Sequence, residues 1–227
     1  MISIIIPTFN EQDSISNLIS FLKKHAEQGD IEVIASDGGS TDETRMLAKK
    51  AGAKVVESAM KGRGAQMNYG AAKASGDILY FLHADTYPPK TYCKDIKEAL
   101  LEGYEAGCYR LSFDDKHPLL RFYSWFTRFD IDYFRFGDQS LFIKKILFEE
   151  MIGFREELIV MEDQDIVRRI KKKSRFKILS ESVSTSARKY RQVGVAKLQL
   201  IFTIMFVRFY LGTPQEKLVS FYKSFIK

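Results

Sequence analysis

The chain has 227 residues, 45% of them hydrophobic and 28% charged, with two cysteines and a net charge of +6. These values describe one sizeable soluble core in one or at most two domains, and exclude a disulfide framework or a cysteine metal knuckle. The charge is uneven: from Arg168 onward 15 Lys and Arg stand against 2 acids, a balance of +13, which leaves −7 for the residues before. A basic end of this kind suits a polyanion, a phosphorylated substrate or an anionic membrane surface, or simply forms a solvated helix face.

Ile2 to Pro7 is a β-branched run ending in a breaker, and predicts a buried strand followed by the loop Thr8 to Glu11. The run lacks a basic leader, so no secretory signal is expected, and Cys93 and Cys108 fit a reducing cytoplasm. Asp13 or Ser14 is placed to cap a helix with Ile15, Leu18, Ile19 and Leu22 on one side. Ile31 to Ala35 predicts a second strand, a polar loop from Ser36 to Asp42, and then a helix carrying Met46, Leu47 and Ala51. Lys54 to Val56 predicts a short third strand. Lys61 to Gly70 reads as a glycine-containing loop running into a helix through Ala71, Ala72 and Ala74. Ile78 to Leu82 predicts a strand buried on both faces in the middle of a parallel sheet, with His83, Ala84 and Asp85 at its carboxyl end. Strands and helices thus alternate, which argues for right-handed crossovers on a parallel sheet.

The second half changes character. Tyr92 to Leu101 predicts a helix and Gly107 to Phe113 a strand. Phe122, Tyr123, Trp125, Phe126, Phe129 and Tyr133 are expected to pack in the core or along a substrate groove. Gly137-Asp138-Gln139 precedes a short apolar run at Leu141 to Ile143, and a later helix opens with Glu162 and Asp163 and buries Ile166, Val167 and Ile170. Val195 to Leu211 is apolar but broken by Lys197, Gln199 and Arg208, short of the ~20 residues a membrane span needs. Leu198, Ile201, Phe202, Met205 and Phe209 form its stripe, which suits either an anionic cytoplasmic leaflet or packing against the core or a second copy. Lys217 to Lys227 continues in the same style with Leu218, Phe221, Tyr222 and Phe225.

Four strand-end loops converge on one edge of the sheet: Thr8 to Glu11, Asp37 to Asp42, Lys61 to Asn68, and His83 to Asp85. Open α/β sheets bind ligands there. Asp37 can accept hydrogen bonds from a base N–H or from ribose hydroxyls, and Arg63 is a permanent planar donor for phosphate or carbonyl oxygens. Asp85 can hold a hard cation over a diphosphate, or it can merely cap the next turn.

The segments IIPTFNE (Ile5 to Glu11), DGGSTDET (Asp37 to Thr44), GRGAQMNYGAAKASGD (Gly62 to Asp77), FLHAD (Phe81 to Asp85) and MEDQD (Met161 to Asp165) resemble the inverting glycosyltransferases of family 2. GDQSLF (Gly137 to Phe142) and SARKY (Ser186 to Tyr190) resemble a small bacterial subgroup of that family. The resemblance covers about residues 2 to 190 and implies a GT-A fold, a three-layer α/β/α sandwich spanning residues 1–192, followed by an amphipathic helical segment at 193–227. It implies that Pro7, Thr8 and Phe9 line a nucleobase with Glu11 near the ribose, that Asp37 reads the base, and that Arg63, Asn68, Ala84 and Asp85 complete the nucleotide pocket. Asp85, with His83 in place of the first Asp of the family's Asp-x-Asp motif, would bind Mg²⁺ or Mn²⁺. Asp163, beside Glu162, takes the general-base position on the acceptor hydroxyl. Gly137, Asp138 and Gln139 are expected to contact the acceptor or the diphosphate, and Arg188, Lys189 and Arg191 to close over the diphosphate or form a surface basic patch. Gly38 stands where many relatives carry a second Asp, and the Gln-x-x-Arg-Trp motif of processive synthases is absent.

The expected activity is non-processive transfer from a nucleotide-diphosphate sugar, UDP before GDP, to an acceptor hydroxyl that can be lipid-linked. The expected enzyme is cytoplasmic, at the inner membrane face or as a homodimer. A sugar-1-phosphate nucleotidyltransferase needs a basic, glycine-rich loop after the first strand, where this chain has the acidic PTFNEQD. A nucleic-acid-binding protein would use the basic end, but no RNA- or DNA-binding signature accompanies it.

Overall fold

The computed structural model describes residues 1–135 and 137–225, with Phe134 described by its backbone alone. In the first half β1 (Ile2–Thr8), α1 (Ile15–Lys24), β2 (Ile31–Asp37), α2 (Thr44–Lys50), β3 (Lys54–Glu57), α3 (Arg63–Ala72) and β4 (Ile78–Phe81) alternate as expected. Then follow β5 (Thr86–Tyr87), α4 (Tyr92–Leu101), β6 (Ala106–Phe113), α5 (Pro118–Trp125), β7 (Leu141–Lys144), α6 (Lys145–Glu150), α7 (Glu162–Lys171), β8 (Phe176–Thr185), α8 (Arg188–Val193), α9 (Val195–Tyr210) and α10 (Gln215–Phe225). The strands form one eight-stranded sheet in the order β3-β2-β1-β4-β7-β6-β8-β5.

Period-2 side-chain alternation divides the core into two layers. Ile2, Ile4, Ile6 and Tyr80 face the layer holding Ile15, Leu18, Ala48 and Ile96 from α1, α2 and α4. Ile5, Ile34, Leu79 and Phe81 face the other, with Met67, Phe148, Ile166 and Val167 from α3, α6 and α7. Both faces of β4 are therefore covered, but its surroundings are not all parallel. It pairs parallel with β1 and antiparallel with β7, because the chain returns from the far side of the sheet instead of making another crossover.

Several local expectations are corrected. The stretch from Lys61 to Gly70 is mostly helix: α3 begins at Arg63, directly after Gly62 turns the chain at φ 120°. Gly70 lets that helix lie on β1, since a Cβ there would stand 2.5 Å from Ile5 Cγ2. Met46 is exposed, and α2 buries Thr44 and Ala48 instead. Ser14 does not cap α1 with its side chain; its hydroxyl donates to the Glu11 carbonyl and carboxylate. Phe122, Trp125, Phe129 and Tyr133 are exposed, not core.

The C-terminal helices belong to the same packed body. Leu198, Ile201 and Met205 of the α9 stripe are buried, and α9 packs against α5, α8 and α10. Phe202 meets the Tyr190 and Tyr222 rings at 6.2 Å and 6.1 Å. The stripe is therefore turned inward and is not free to lie on a membrane. Among the described residues no helix is long and apolar enough to cross one. Lys227, the end of the last amphipathic segment, lies outside the described residues.

Candidate active site

The loops after β1 and β2 are laced together by polar side chains that serve the structure of the loops themselves. Asp37 is fully buried. Its Oδ2 accepts from the amides of Gly39 and Ser40 at 2.9 Å and 2.8 Å, and its Oδ1 from the hydroxyls of Ser40 and Thr8 at 2.5 Å and 3.2 Å. Asn10 receives the Thr41 amide at 2.9 Å, and the Glu11 amide donates to Thr44 Oγ1 at 2.7 Å. Asp37 therefore builds the loop, with its carboxylate buried and occupied by four donors. Gln66, which sequence reasoning passed over, closes the same bracket from α3 by donating to the carbonyls of Thr8 and Ser36 at 2.6 Å and 3.0 Å. Pro7 and Thr8 are buried in β1, so of the three residues assigned to the nucleobase only Phe9, 58% exposed, presents a side chain to solvent.

Beyond the end of β4, His83 Nδ1 lies 3.0 Å from Asp138 Oδ1, a contact between residues 55 apart in sequence. Burial pulls the imidazole pKa down, but the Asp138 hydrogen bond and charge outweigh it and the net shift is upward. Burial likewise raises Asp138, and the same hydrogen bond and charge reverse it to a lowered value. The pairing takes up Nδ1, so Nε2 is the ring nitrogen through which His83 could meet a cation. Gly137 lets the chain pass close to two side chains of the site. A Cβ there would fall 2.1 Å from Asp163 Oδ2 and 3.0 Å from His83 Cε1, so the backbone of the Gly137–Gln139 turn touches both groups. That close approach is what brings His83, Asp138 and Asp163 to one place.

Asp163 is in the first turn of α7, entered through Met161 at φ 66°, and Glu162 beside it is fully buried. Arg63 Nε, from the first turn of α3, stands 2.8 Å from Glu162 Oε1. Neither Glu162 oxygen meets hydrogen-bond alignment, so the contact is an ion pair set by distance. Burial pushes Glu162 from 4.5 up to about 7, against the pull of the Arg63 charge and with the Asp163 charge adding to it. Raised this way, Glu162 keeps a proton in the folded chain that the unfolded chain releases. Its contribution to stability is complete below pH 4.5, declines as pH rises toward 7, and is lost above that. Glu162→Gln should remove this slope. Denaturant titrations of both proteins across the interval should differ by on the order of 1–3 kcal/mol in their pH dependence, and parallel curves would contradict it.

On the β1 side, Glu11 and Asp85 are close enough to interact. Burial raises the Glu11 pKa most, the Ser14 hydrogen bond lowers it, and the Asp85 charge raises it again, for a net upward shift. Arg188 stands 3.7 Å from Glu11 Oε2, and Lys189 acts electrostatically on both Glu11 and Asp138. Other expected site residues are engaged elsewhere. Asn68 donates to Phe154 O and Glu156 Oε1, both at 2.9 Å, and accepts from the Phe154 amide at 2.8 Å, so it pins the segment before α7. Gln139 is buried and donates to the Tyr109 carbonyl at 3.1 Å. Arg191 is paired with Asp114 and Asp115 at 3.0 Å and 3.3 Å, and Ala84 is buried in the core layer. The side chains left facing the edge are Phe9, Glu11, Arg63, His83, Asp85, Asp138, Asp163, Arg188 and Lys189.

Among the described residues no group of three or more His, Cys, Asp or Glu forms a metal cage. Asp85, with Glu11 near it, is a hard oxygen donor set. Mg²⁺ and Mn²⁺ are commonly held by one or two carboxylates while substrate phosphates and water fill the remaining positions, and the donors here fit that arrangement.

A sheet covered on both faces by helices, with carboxylates gathered at the carboxyl ends of β1 and β4, has the GT-A architecture of nucleotide-sugar transferases. The profile of glycosyl transferase family 2 matches residues 3–159, and the chain belongs to that family. It is 33% identical over 96 residues to a glucosyl-3-phosphoglycerate synthase of Mycolicibacterium smegmatis, a match covering 39% of this chain and 32% of that one. The chain thus spans about a third of that relative's length in the matched region. S. aureus TarS 1-349 in complex with UDP-GlcNAc superposes with a TM-score of 0.69 at 22% identity, covering 82% of this chain and 58% of that one. The glucosyl-3-phosphoglycerate synthase of Mycobacterium tuberculosis, in complex with Mn²⁺, UDP and phosphoglyceric acid, superposes with a TM-score of 0.63 at 19% identity, covering 94% and 79%. At such identities the two structures establish the fold.

Proposed function

We propose that the chain is an inverting, non-processive glycosyltransferase that moves a sugar from a nucleoside diphosphate, UDP in the first instance, to an acceptor hydroxyl. The observation that carries this reading is the gathering of Asp163, His83 and Gly137 in one place, with Asp85 and Glu11 acting on each other at the ends of β4 and β1. In this reading Asp163 serves the acceptor, and Asp85 and Glu11 serve the diphosphate.

Phe9 offers the nucleobase an apolar surface, and Arg188 and Lys189 bring positive charge toward the diphosphate. Asp85 and Glu11 would hold Mg²⁺ or Mn²⁺, which when bound neutralises charge on the departing diphosphate. The hydrogen bond between His83 and Asp138 fixes the orientation of the imidazole ring beside the reacting centre. Asp163 accepts the proton of the acceptor hydroxyl as its oxygen attacks the anomeric carbon opposite the leaving group, which inverts that centre. Glu162, anchored to Arg63, holds the start of α7 against the start of α3 and so fixes where Asp163 stands. The acceptor belongs to the same reading: a hydroxyl on a small phosphorylated molecule or on a lipid-linked carrier.

Calorimetry with UDP and GDP tests the donor half. UDP affinity should rise on adding Mn²⁺, Asp85→Asn should abolish that gain, and Asn68→Ala should leave it intact. Equal UDP affinity with Mn²⁺ and with EDTA would remove the metal from the reading, and no affinity for either nucleotide would remove the donor.

A further inference from the structure

Helix α5 is amphipathic in the wrong direction for a core helix. It buries Leu120 alone, while Leu119, Phe122 and Trp125 are 39%, 56% and 44% exposed and Phe129, one turn further, is 38% exposed. Leu119, Phe122 and Trp125, spaced three apart, share one side of α5, and Phe129, in extended backbone beyond it, joins them through its ring contact with Trp125. Their rings touch one another: Phe122 meets Phe126 at 5.0 Å, and Trp125 meets Phe126 and Phe129 at 5.2 Å and 4.9 Å. The result is an aromatic ridge open to water.

Its border is positive. From Lys116 to Phe129 there are three basic residues, Lys116, Arg121 and Arg128, and no carboxylate. The Arg128 guanidinium lies 4.8 Å above the Trp125 ring. The acids on either side share two cations, Asp130 and Asp132 with Lys171 and Asp114 and Asp115 with Arg191. With the three basic residues of the ridge, five cations stand against four carboxylates, a local balance of +1. An apolar ridge of this size marks an interaction surface. A second copy docked on it about a two-fold axis would set one basic-bordered ridge against another, which adds no complementary charge. An anionic bilayer offers the opposite, with phosphates for the arginines and an interfacial layer where Trp and Phe are favoured.

We propose that the α5 ridge, through Phe122, Trp125 and Phe129, docks the protein on an anionic membrane surface. The inference does not depend on the sugar-transfer reading, and it uses a different surface from the inward-turned stripe of α9. Trp125 is the sole tryptophan of the chain, so its emission reports the ridge directly. Full-length protein is titrated with phosphatidylglycerol/phosphatidylcholine vesicles and with pure phosphatidylcholine vesicles. The expected result is a blue shift of Trp125 emission and co-flotation with the anionic vesicles, both weakened by salt. The double variant Phe122→Ser, Phe129→Ser should lower the partition coefficient by about tenfold or more per side chain. Leu200→Ser, on the exposed side of α9, should leave it unchanged. Circular dichroism of each variant confirms the fold, which surface substitutions should preserve. Emission unmoved by anionic vesicles overturns the proposal. So does a blue shift that follows protein concentration without lipid, which would assign the ridge to a second copy.

Discussion

Asp163→Asn should lower turnover by a factor on the order of 10²–10⁴ while leaving nucleotide affinity nearly unchanged. The amide keeps the size and position of the carboxylate against Gly137, so the packing that places it should survive. What it loses is the capacity to take a proton from the acceptor. The readout is UDP release from a UDP-sugar in the presence of acceptor, or slow release to water where the acceptor is not yet in hand. Turnover equal to the unsubstituted enzyme would eliminate Asp163 as the base. Asp138 would then be the next carboxylate to test, because it faces the same edge, although its hydrogen bond to His83 lowers its proton affinity. Glu162 is the weaker substitute, since its side chain is fully buried and held by Arg63.

The second large effect is on stability. Asp37→Ala should cost about 2–4 kcal/mol, because four donors, two amides and two hydroxyls, lose a buried acceptor at once. The loop from Gly38 to Asp42 is tied to Asn10 and Glu11 by further bonds, so its loosening should also weaken nucleotide binding indirectly. Urea denaturation measures the first effect, and calorimetry on the folded fraction the second. An unchanged denaturation midpoint with lost nucleotide affinity would restore Asp37 as a direct ligand contact. Asp37→Asn should lie between the two, since its amide retains one acceptor oxygen but turns a donor toward other donors.

The two substitutions separate roles that look alike in the linear sequence. Asp37 and Asp163 are both carboxylates at the ends of regular elements, on the same edge of the sheet. One is saturated by its own loop. The other is in the first turn of a helix with backbone and an imidazole against it. The same contrast holds among the basic residues. Arg191 is neutralised by Asp114 and Asp115, whereas Arg188 and Lys189 act on the carboxylates of the site.

The strands and most helices were legible in the amino-acid sequence because their signals are local. Runs such as Ile2 to Pro7 and Ile78 to Leu82 end at breakers, and the Ile166, Val167, Ile170 spacing marks one face of a helix. The strand-end positions of Glu11 and Asp85, and the helix-start position of Asp163, follow from those boundaries. So does the family, whose segments recur in order along the chain. Tertiary structure alone decided which polar side chains are free for chemistry. Asn68 is consumed by Phe154, 86 residues away, whereas His83 stays at the edge but is oriented by Asp138, 55 residues away, and neither partner can be inferred from local periodicity. It also decided that β7 enters beside β4 antiparallel, that α3 starts at Arg63, and that the α9 stripe faces inward while the aromatics of α5 face out. A hydrophobic pattern specifies that a face exists, but what covers it depends on elements distant in the chain.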